Sequence, residues 1–219
     1  MAGPVFLESI RLLDGAYQDL FWHQKRILRT CRAFFGQPPG FDLEAVLPVP
    51  PTETGLFKAR LLYSLETTTV EIKPYVIKAV YSLELVEGKD LAYGHKFLDR
   101  SAIDSLKAKS RADDIIVVQG GLLTDTSIAN LVLESGEGLF TPERCLLPGV
   151  KRDKLMSAGV LRARAIRVQD LGQYSRIWLI NAMIDLEDRV GIGTGDVIGP
   201  KDGWPALMPP APKDDGLKA

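Results

Sequence analysis

One lysine near the middle of the chain stands in a context that could make it reactive. Lys96 follows an apolar segment and precedes a helical pattern that Asp99 could cap. In an apolar pocket, the loss of hydration would disfavour its charged form and leave a free amine able to form an imine. Most lysines remain exposed, so Lys96 could equally be a solvated residue at the entrance of a helix.

A second segment combines hydroxyls, a carboxylate and an amide between two predicted strands. It covers residues 122–130 and contains Asp125 and Asn130. A carboxylate in this place could bind a protonated heterocyclic nitrogen. The same composition also suits an ordinary Asx or ST turn.

A third segment could bind a phosphate group. Gly149 directly precedes a helical pattern, so free backbone N–H groups and the helix dipole could face an anion. The spacing is not that of a Walker A loop, and a tight turn with solvated Lys151 and Arg152 explains the segment equally well.

Two arginines in the first third of the chain are candidate anion ligands. His23 and Arg26 lie three residues apart on one helical face and could point into the same cleft. An arginine offers a bidentate fork to a phosphate, although most helical arginines are simply solvated. Arg60 lies in an apolar β-rich run, where it could bind a substrate carboxylate or occupy the outer side of an edge strand.

Other motifs predict no metal, disulfide or nucleotide site. Cys31 and Cys145 belong to no CxxC motif or Cys/His cluster, which favours a reducing cytoplasmic location. The glycines at 191–195 lack the spacing of a dinucleotide loop, and Pro200 follows too soon for a crossover helix.

The composition indicates a globular protein with a substantial core. The 219 residues are 46% hydrophobic and 25% charged, and the net charge is −1. Nucleic acids and anionic membranes normally require clustered lysine and arginine, so neither is an expected partner. No signal peptide and no run of 18 apolar residues is present, and we therefore expect an unexported protein without a membrane span.

The periodicity of the first 75 residues predicts a small α/β unit with one long helix. Its expected elements are a strand at 5–13, a hairpin partner at 16–18, a helix at 19–36, a short helix after Asp42 and strands at 56–65 and 67–73. Pro74 and Tyr75 interrupt the pattern and suggest a boundary between domains at 1–75 and 76–199.

The larger unit mixes strands and helices without strict alternation. Its expected strands are at 80–86, 114–119, 128–133, 165–168 and 176–180, with helices at 99–109, after Gly149 and near Asp185. Residues 200–219 are rich in Pro, Gly, Lys and Asp and predict a tail or a loosely packed arm.

Taken in order, these motifs resemble the class IV aminotransferases, the fold-type IV enzymes that include branched-chain and D-amino-acid aminotransferases and aminodeoxychorismate lyase. The resemblance follows Phe6-Leu-Glu-Ser-Ile-Arg, Asp14-Gly15, His23-x-x-Arg26, Pro74-Tyr75, Lys96-x-x-x-Arg100, Leu123-Thr-Asp-Thr-Ser-x-Ala-Asn130, Thr141-Pro142, Leu147-Pro-Gly-Val-Lys-Arg152 and Asn181-Ala-Met183. It implies an α+β fold of two domains, with pyridoxal 5′-phosphate (PLP) in the cleft between them. It also implies a homodimer.

The resemblance assigns a role to each candidate residue. Lys96 looks like the Schiff-base lysine and general acid/base, Arg26 like the phosphate anchor, and Asp125 stands where the family usually has a glutamate facing the pyridine nitrogen. Lys151 replaces a small hydroxyl residue that commonly binds phosphate, and could substitute as a point charge. The remaining implied positions are Leu147, Gly149 and Val150 around the phosphate and ring, Asn181 and Ala182 nearby, and Arg60 at the substrate carboxylate.

Three functions remain open at this point. The segments Lys96–Arg100 and Asn181–Met183 resemble aminodeoxychorismate lyase more than branched-chain aminotransferase, which favours conversion of 4-amino-4-deoxychorismate to p-aminobenzoate and pyruvate. An amino-acid transaminase is the alternative. A non-catalytic descendant that binds a small molecule is a third reading, suggested by the short N-terminus, Asp125 and Lys151, whereas Lys96 and Arg26 together favour an enzyme.

Overall fold

A four-stranded antiparallel sheet with a long helix against it forms the N-terminal part of the molecule. The computed structural model describes residues 4–65, 67–89 and 91–199; the predicted tail at 200–219 lies outside the described residues. The sheet has the strand order β2-β1-β3-β4, and its strands are β1 (Phe6–Leu13), β2 (Ala16–Tyr17), β3 (Leu56–Tyr63) and β4 (Thr68–Pro74).

Alternation along β1 explains how this sheet meets its helix. Phe6, Glu8 and Ile10 share one face of the strand, and this face packs against α1 (Leu20–Phe35). Gly36 ends α1 in the left-handed region at φ 70°, which glycine adopts at little cost. The predicted hairpin after β1 and the predicted first helix are confirmed.

A nine-stranded mixed sheet forms the larger part of the molecule. Its main path has the order β10-β9-β8-β7-β6-β5-β13, and β11 joins through β8 and carries β12. The strands are β5 (Leu83–Glu87), β6 (Asp114–Gln119), β7 (Leu122–Thr126), β8 (Asn130–Ser135), β9 (Gly138–Pro142), β10 (Arg162–Arg164), β11 (Arg176–Ile180), β12 (Gly191–Gly193) and β13 (Val197–Ile198). The other helices are α2 (Leu43–Val46), α3 (Ser101–Lys107) and α4 (Val150–Ser157).

Both faces of the larger sheet are covered. In β6, Ile116 and Val118 belong to the main apolar cluster, whereas Ile115 and Val117 pack with Ile103 of α3 on the other face. This two-sided burial explains the unbroken apolar run of β6. The α+β fold predicted from the sequence is confirmed.

Backbone hydrogen bonds connect β1 to the segment that contains the predicted reactive lysine. The Leu7 N–H donates to the Lys96 carbonyl at 3.0 Å, and the Leu98 N–H donates to the Val5 carbonyl at 3.0 Å. Residues 96–98 therefore run beside the edge of β1. The predicted domain boundary at residue 75 falls in the connection between the two sheets.

Two local predictions are wrong. The segment 122–130 begins as strand β7, because Gly120 and Gly121, at φ 59° and 78°, close a two-residue hairpin with β6. The strand predicted at 165–168 lies earlier, as β10, and a 3₁₀ turn (Val168–Gln173) begins at its expected end. There the Asp170 carboxylate accepts from the Arg167 N–H at 2.9 Å, which starts the turn.

Candidate active site

A cavity of about 220 Å³ lies where the two sheets meet. Apart from Arg60 and Lys151, every site residue predicted from the sequence lines it: Arg26, Lys96, Asp125, Leu147, Gly149, Val150, Asn181 and Ala182. The fold thus brings together side chains that are separated by more than half of the chain. No group of three or more His, Cys, Asp or Glu within the described ranges could hold a metal ion, and no helix in these ranges is long and apolar enough to cross a membrane.

Lys96 faces this cavity from the segment that pairs with β1. Burial lowers the pKa of its ammonium to about 7, and the positive charge of Arg26 acts in the same direction. A substantial fraction of Lys96 is therefore the free amine at neutral pH. A free amine at the wall of a cavity is suited to react with a carbonyl group.

Arg26 is held by a buried carboxylate that the sequence interpretation did not identify. Its Nε donates to Glu8 Oε1 at 2.8 Å, and its Nη2 donates to Glu8 Oε2. His23 Nδ1 donates to the same Oε2 at 2.6 Å. Burial opposes the charge on Glu8, but the charge of Arg26 and both sets of hydrogen bonds lower its pKa to about 2.

This arrangement orients the Arg26 guanidinium and leaves Nη1 without an acceptor in the described part of the chain. His23 was expected to share the cleft with Arg26. The structure buries it, but only Arg26 lines the cavity. The sequence signal for Glu8 is an acid on the apolar face of β1, between Phe6 and Ile10, where a charge requires a partner.

Asp125 lies at the end of β7, opposite Asn130 of β8. Its Oδ1 accepts from Asn130 Nδ2 and its Oδ2 accepts from the Leu147 N–H, both at 2.8 Å. Burial nevertheless raises the pKa of Asp125 to about 6. Each carboxylate oxygen can accept more than one hydrogen bond, so Asp125 retains capacity for a ligand N–H.

The turn before α4 brings backbone N–H groups to the cavity. Gly149 is the N-cap of α4, and both Gly149 and Val150 line the cavity. A Cβ added at Gly149 would lie 2.0 Å from Asn130 Oδ1. Only glycine therefore fits between this turn and the side chain that holds Asp125.

The structure does not place Lys151 or Arg60 in the cavity wall. Lys151 Nζ donates to Asp19 Oδ2 at 2.7 Å and also pairs with Asp185. Arg60 lies opposite Glu71 in the pairing of β3 with β4. Lys58, two residues earlier on the same face of β3, lines the cavity instead.

Two further cations in the wall were missed by the sequence interpretation. Arg100 donates through Nη2 to the Ser127 carbonyl at 2.9 Å and to Asp104 at 3.3 Å. Among the described residues Lys58 makes no ion pair or side-chain hydrogen bond, and its ammonium lies 5.2 Å from the centre of the Tyr75 ring. Arg100 belongs to the Lys96-x-x-x-Arg100 motif but received no role from it, and Lys58 has no local sequence signal, because the packing of the two sheets brings it to the cavity.

The residues around the cavity fit a phosphorylated cofactor with a heterocyclic ring, such as PLP. Arg26 and the start of α4 are suited to a phosphate, and Asp125 is suited to a ring N–H. Ser127 Oγ lines the cavity and is buried without a hydrogen-bond partner in the described part of the chain. A polar ligand in the cavity would satisfy this hydroxyl.

Comparison with known proteins identifies the family. The family model of amino-transferase class IV matches residues 57–186. An uncharacterized protein of Haemophilus influenzae is 33% identical over 184 residues, which cover 82% of this chain and 97% of that protein. The crystal structure of a candidate 4-amino-4-deoxychorismate lyase from Haemophilus somnus is 29% identical with a TM-score of 0.78, over 84% of this chain and 98% of that one.

A more distant structure shares the fold. The PLP-bound form of a hypothetical aminotransferase from Mycobacterium tuberculosis is 18% identical with a TM-score of 0.67, over 89% of this chain and 81% of that one. The chain therefore belongs to the class IV aminotransferase family and has the fold of the fold-type IV enzymes. Members of this family are PLP-dependent enzymes.

Proposed function

We propose that this chain binds PLP and acts as a 4-amino-4-deoxychorismate lyase, forming p-aminobenzoate and pyruvate. The observation that carries the proposal is the meeting of Lys96, Arg26 and Asp125 at one cavity. The similarity to the candidate lyase of Haemophilus somnus favours a lyase over a transaminase.

Different residues of the cavity are suited to bind different parts of PLP. Arg26 and the N–H groups at the start of α4 would hold the phosphate, Asp125 would hold the ring nitrogen, and Lys96 would supply the amine for covalent attachment. When bound, PLP supplies an aldehyde for attachment to an amine and a conjugated ring that withdraws electrons from the adjacent carbon. The position of Asp125, held by Asn130 and the Leu147 N–H, is fixed before the ligand arrives.

Lys96 acts as the base and the acid of the reaction. Its Nζ removes the proton from the ring carbon that bears the substrate amine. The bond from the neighbouring ring carbon to the ether oxygen then breaks, enolpyruvate leaves with the electron pair, and the ring becomes aromatic. Lys96 returns the proton to enolpyruvate to give pyruvate, so no oxidant or water is consumed.

Lys58 is suited to bind a carboxylate of the substrate. It lies on the face of the β1–β3 pair that carries Ser9 and is opposite to the face of Glu8, which holds Arg26. Lys58 and Arg26 therefore reach the cavity from opposite faces of this sheet. Ser9 also lines the cavity, diagonal to Lys58 across the strands, and a substrate carboxylate could accept from both groups.

Product analysis tests the proposed activity. Purified protein with PLP is incubated with 4-amino-4-deoxychorismate, and pyruvate and p-aminobenzoate are measured for the wild type and for Lys96→Ala. We expect equimolar products from the wild type and none above background from the variant. Amino transfer to a keto acid, without release of pyruvate from 4-amino-4-deoxychorismate, would overturn the lyase assignment.

A class IV transaminase is the second candidate, and the family match favours it. The two activities share the first proton removal by Lys96 and differ in the fate of the substrate. A transaminase transfers the amine and needs a keto acid as second substrate, whereas the lyase needs only one substrate. Dependence of turnover on added keto acid therefore distinguishes them.

A further inference from the structure

The N-cap residue of α1 does not cap its own helix. Asp19 holds this position in the left-handed region at φ 59°, and within the described residues its carboxylate makes no hydrogen bond to the first turn. An N-cap aspartate normally has an extended backbone and accepts from that turn. Aspartate is among the few non-glycine residues that adopt the left-handed region. The Asp19 carboxylate is therefore available to bind another element.

That element is helix α4. Asp19 Oδ2 accepts from Lys151 Nζ at 2.7 Å, and Asp19 Oδ1 accepts from Lys154 Nζ at 2.6 Å. Only 3% of the Lys151 side chain and 8% of the Asp19 side chain are exposed. Water and salt screen such a buried pair weakly. The start of α1 is thereby tied to the first two turns of α4.

The same network reaches a third wall of the cavity. Lys151 Nζ also pairs with Asp185, which follows β11. Arg11 of β1 donates to Asp188 Oδ2 at 2.8 Å and lies 3.6 Å from Asp185 Oδ2. Arg11 further donates to the carbonyl of Met183 at 2.9 Å, and Met183 lines the cavity.

The network balances its charges and fixes the relative positions of the cavity walls. Its cations are Arg11, Lys151 and Lys154, and its anions are Asp19, Asp185 and Asp188. Through these groups the first turn of α4 is held against β1 and α1, which supply the Glu8–Arg26 pair. The free backbone N–H groups of α4 and the guanidinium of Arg26 can bind the same phosphate only if the first turn of α4 stays close to Arg26.

We propose that Lys151 is a positioning residue of the phosphate site. Its ammonium does not bind the phosphate; it holds the first turn of α4 on Asp19 and Asp185 so that the backbone N–H groups of this turn face the phosphate together with Arg26. This inference rests on the proposed binding of PLP. It explains how a lysine can stand where the family resemblance implies a hydroxyl ligand.

The effect of Asp19→Asn distinguishes the two possible roles of Lys151. A phosphate-binding Lys151 would be released by this substitution, and PLP would bind more tightly. A positioning Lys151 would lose its anchor, and PLP would bind more weakly. We expect Asp19→Asn and Lys151→Met each to raise the Kd for PLP about tenfold, and Lys151→Arg to keep it within about threefold, in fluorescence titrations of the full chain after PLP removal.

Pyridoxal, which lacks the phosphate, separates this role from general damage to the protein. We expect Asp19→Asn and Lys151→Met to bind pyridoxal within about twofold of the wild type, because only the phosphate contribution is lost. Lys107→Met is the matched control: it removes the ion pair between Lys107 of α3 and the buried Asp114 of β6, and it should change neither affinity.

Two results would overturn the inference: unchanged or tighter binding of PLP by Asp19→Asn, or equal losses for PLP and pyridoxal. Titration of the wild type tests the proposed function. A wild type that binds neither compound contradicts the proposed function itself, and this inference with it. A wild type that binds PLP while Asp19→Asn binds it equally well contradicts only the role of Lys151.

Discussion

Burial makes Lys96 reactive and also destabilises the folded protein. Its pKa is about 7 in the folded protein and about 10.4 in an unfolded chain. Between these values the unfolded state binds more protons than the folded state, so stability rises with pH. Below pH 7 the full cost of the buried charge is present.

We therefore expect Lys96→Met to stabilise the protein without cofactor in a pH-dependent manner. The gain should be about 2 kcal/mol at pH 6, since one pKa unit corresponds to about 1.4 kcal/mol and solvent in the cavity screens part of the shift. At pH 10, which is still just below the unfolded pKa, the gain should fall to about 0.7 kcal/mol. Urea unfolding of the variant and the wild type measures the difference in the free energy of unfolding at the two pH values. An equal gain at pH 6 and pH 10 would show that Lys96 is not desolvated.

Lys58 and Arg60 provide a matched pair for testing the substrate carboxylate site. They lie two residues apart on the same face of β3, and only Lys58 lines the cavity. We expect Lys58→Met to raise KM for the lyase substrate about tenfold, because a charged hydrogen bond is lost. Lys58→Arg keeps the charge, so its KM should lie near that of the wild type. The KM of Arg60→Met should stay within about twofold of the wild-type value.

Steady-state kinetics of the three variants decide between the two positions. A tenfold rise in KM for Arg60→Met, with Lys58→Met unaffected, would favour the residue predicted from sequence over the one placed in the cavity wall. Titration with PLP is the control, since neither residue is assigned to the cofactor.

At the scale of elements, the turn before α4 joins the phosphate site to the site of the ring nitrogen. An alanine at position 149 would place its Cβ 2.0 Å from Asn130 Oδ1, and Asn130 donates to Asp125. We expect Gly149→Ala to cost about 3 kcal/mol of stability and to weaken PLP binding, because Asp125 loses a donor.

Gly172→Ala is the control for this substitution, since nothing lies within 4 Å of the added Cβ. Thermal unfolding and PLP titration of the two alanine variants measure the difference. Equal stability of both variants would show that the turn and Asn130 are not in close contact.

Elements with a strong local signal were predictable. The Asp14-Gly15 hairpin, the first helix and the apolar run of β6 follow from turn residues and periodicity. Strand β7 was missed because its hydroxyl-rich sequence is typical of a turn, although Gly120-Gly121 is a two-residue hairpin signal.

The candidate site was predictable only where a motif carried it. Lys96, Arg26 and Asp125 were selected from motifs, and the structure brings them to one cavity. Glu8 and Lys58 act through neighbours distant in sequence, and the acids that hold Lys151 lie more than 30 residues away on either side. Such contacts exist only after the sheets pack.

At the scale of the whole molecule, the ion network and the pairing of residues 96–98 with β1 hold the two sheets around the cavity. The family resemblance implies a homodimer whose second chain helps to close the site. We expect sedimentation equilibrium to give twice the 24.1 kDa of one chain. A monomeric mass at micromolar concentration would show that one chain closes the site alone.

The absorption spectrum of the purified protein with PLP reports whether Lys96 forms a Schiff base with the cofactor. We expect a band near the edge of the visible range for the wild type, and borohydride should then attach the cofactor irreversibly to the peptide containing Lys96. Lys96→Ala should show neither the band nor the attachment. A wild-type spectrum equal to that of free PLP, or a band unaffected by Lys96→Ala, would contradict the assignment of Lys96 and favour a protein that retains the fold without its chemistry.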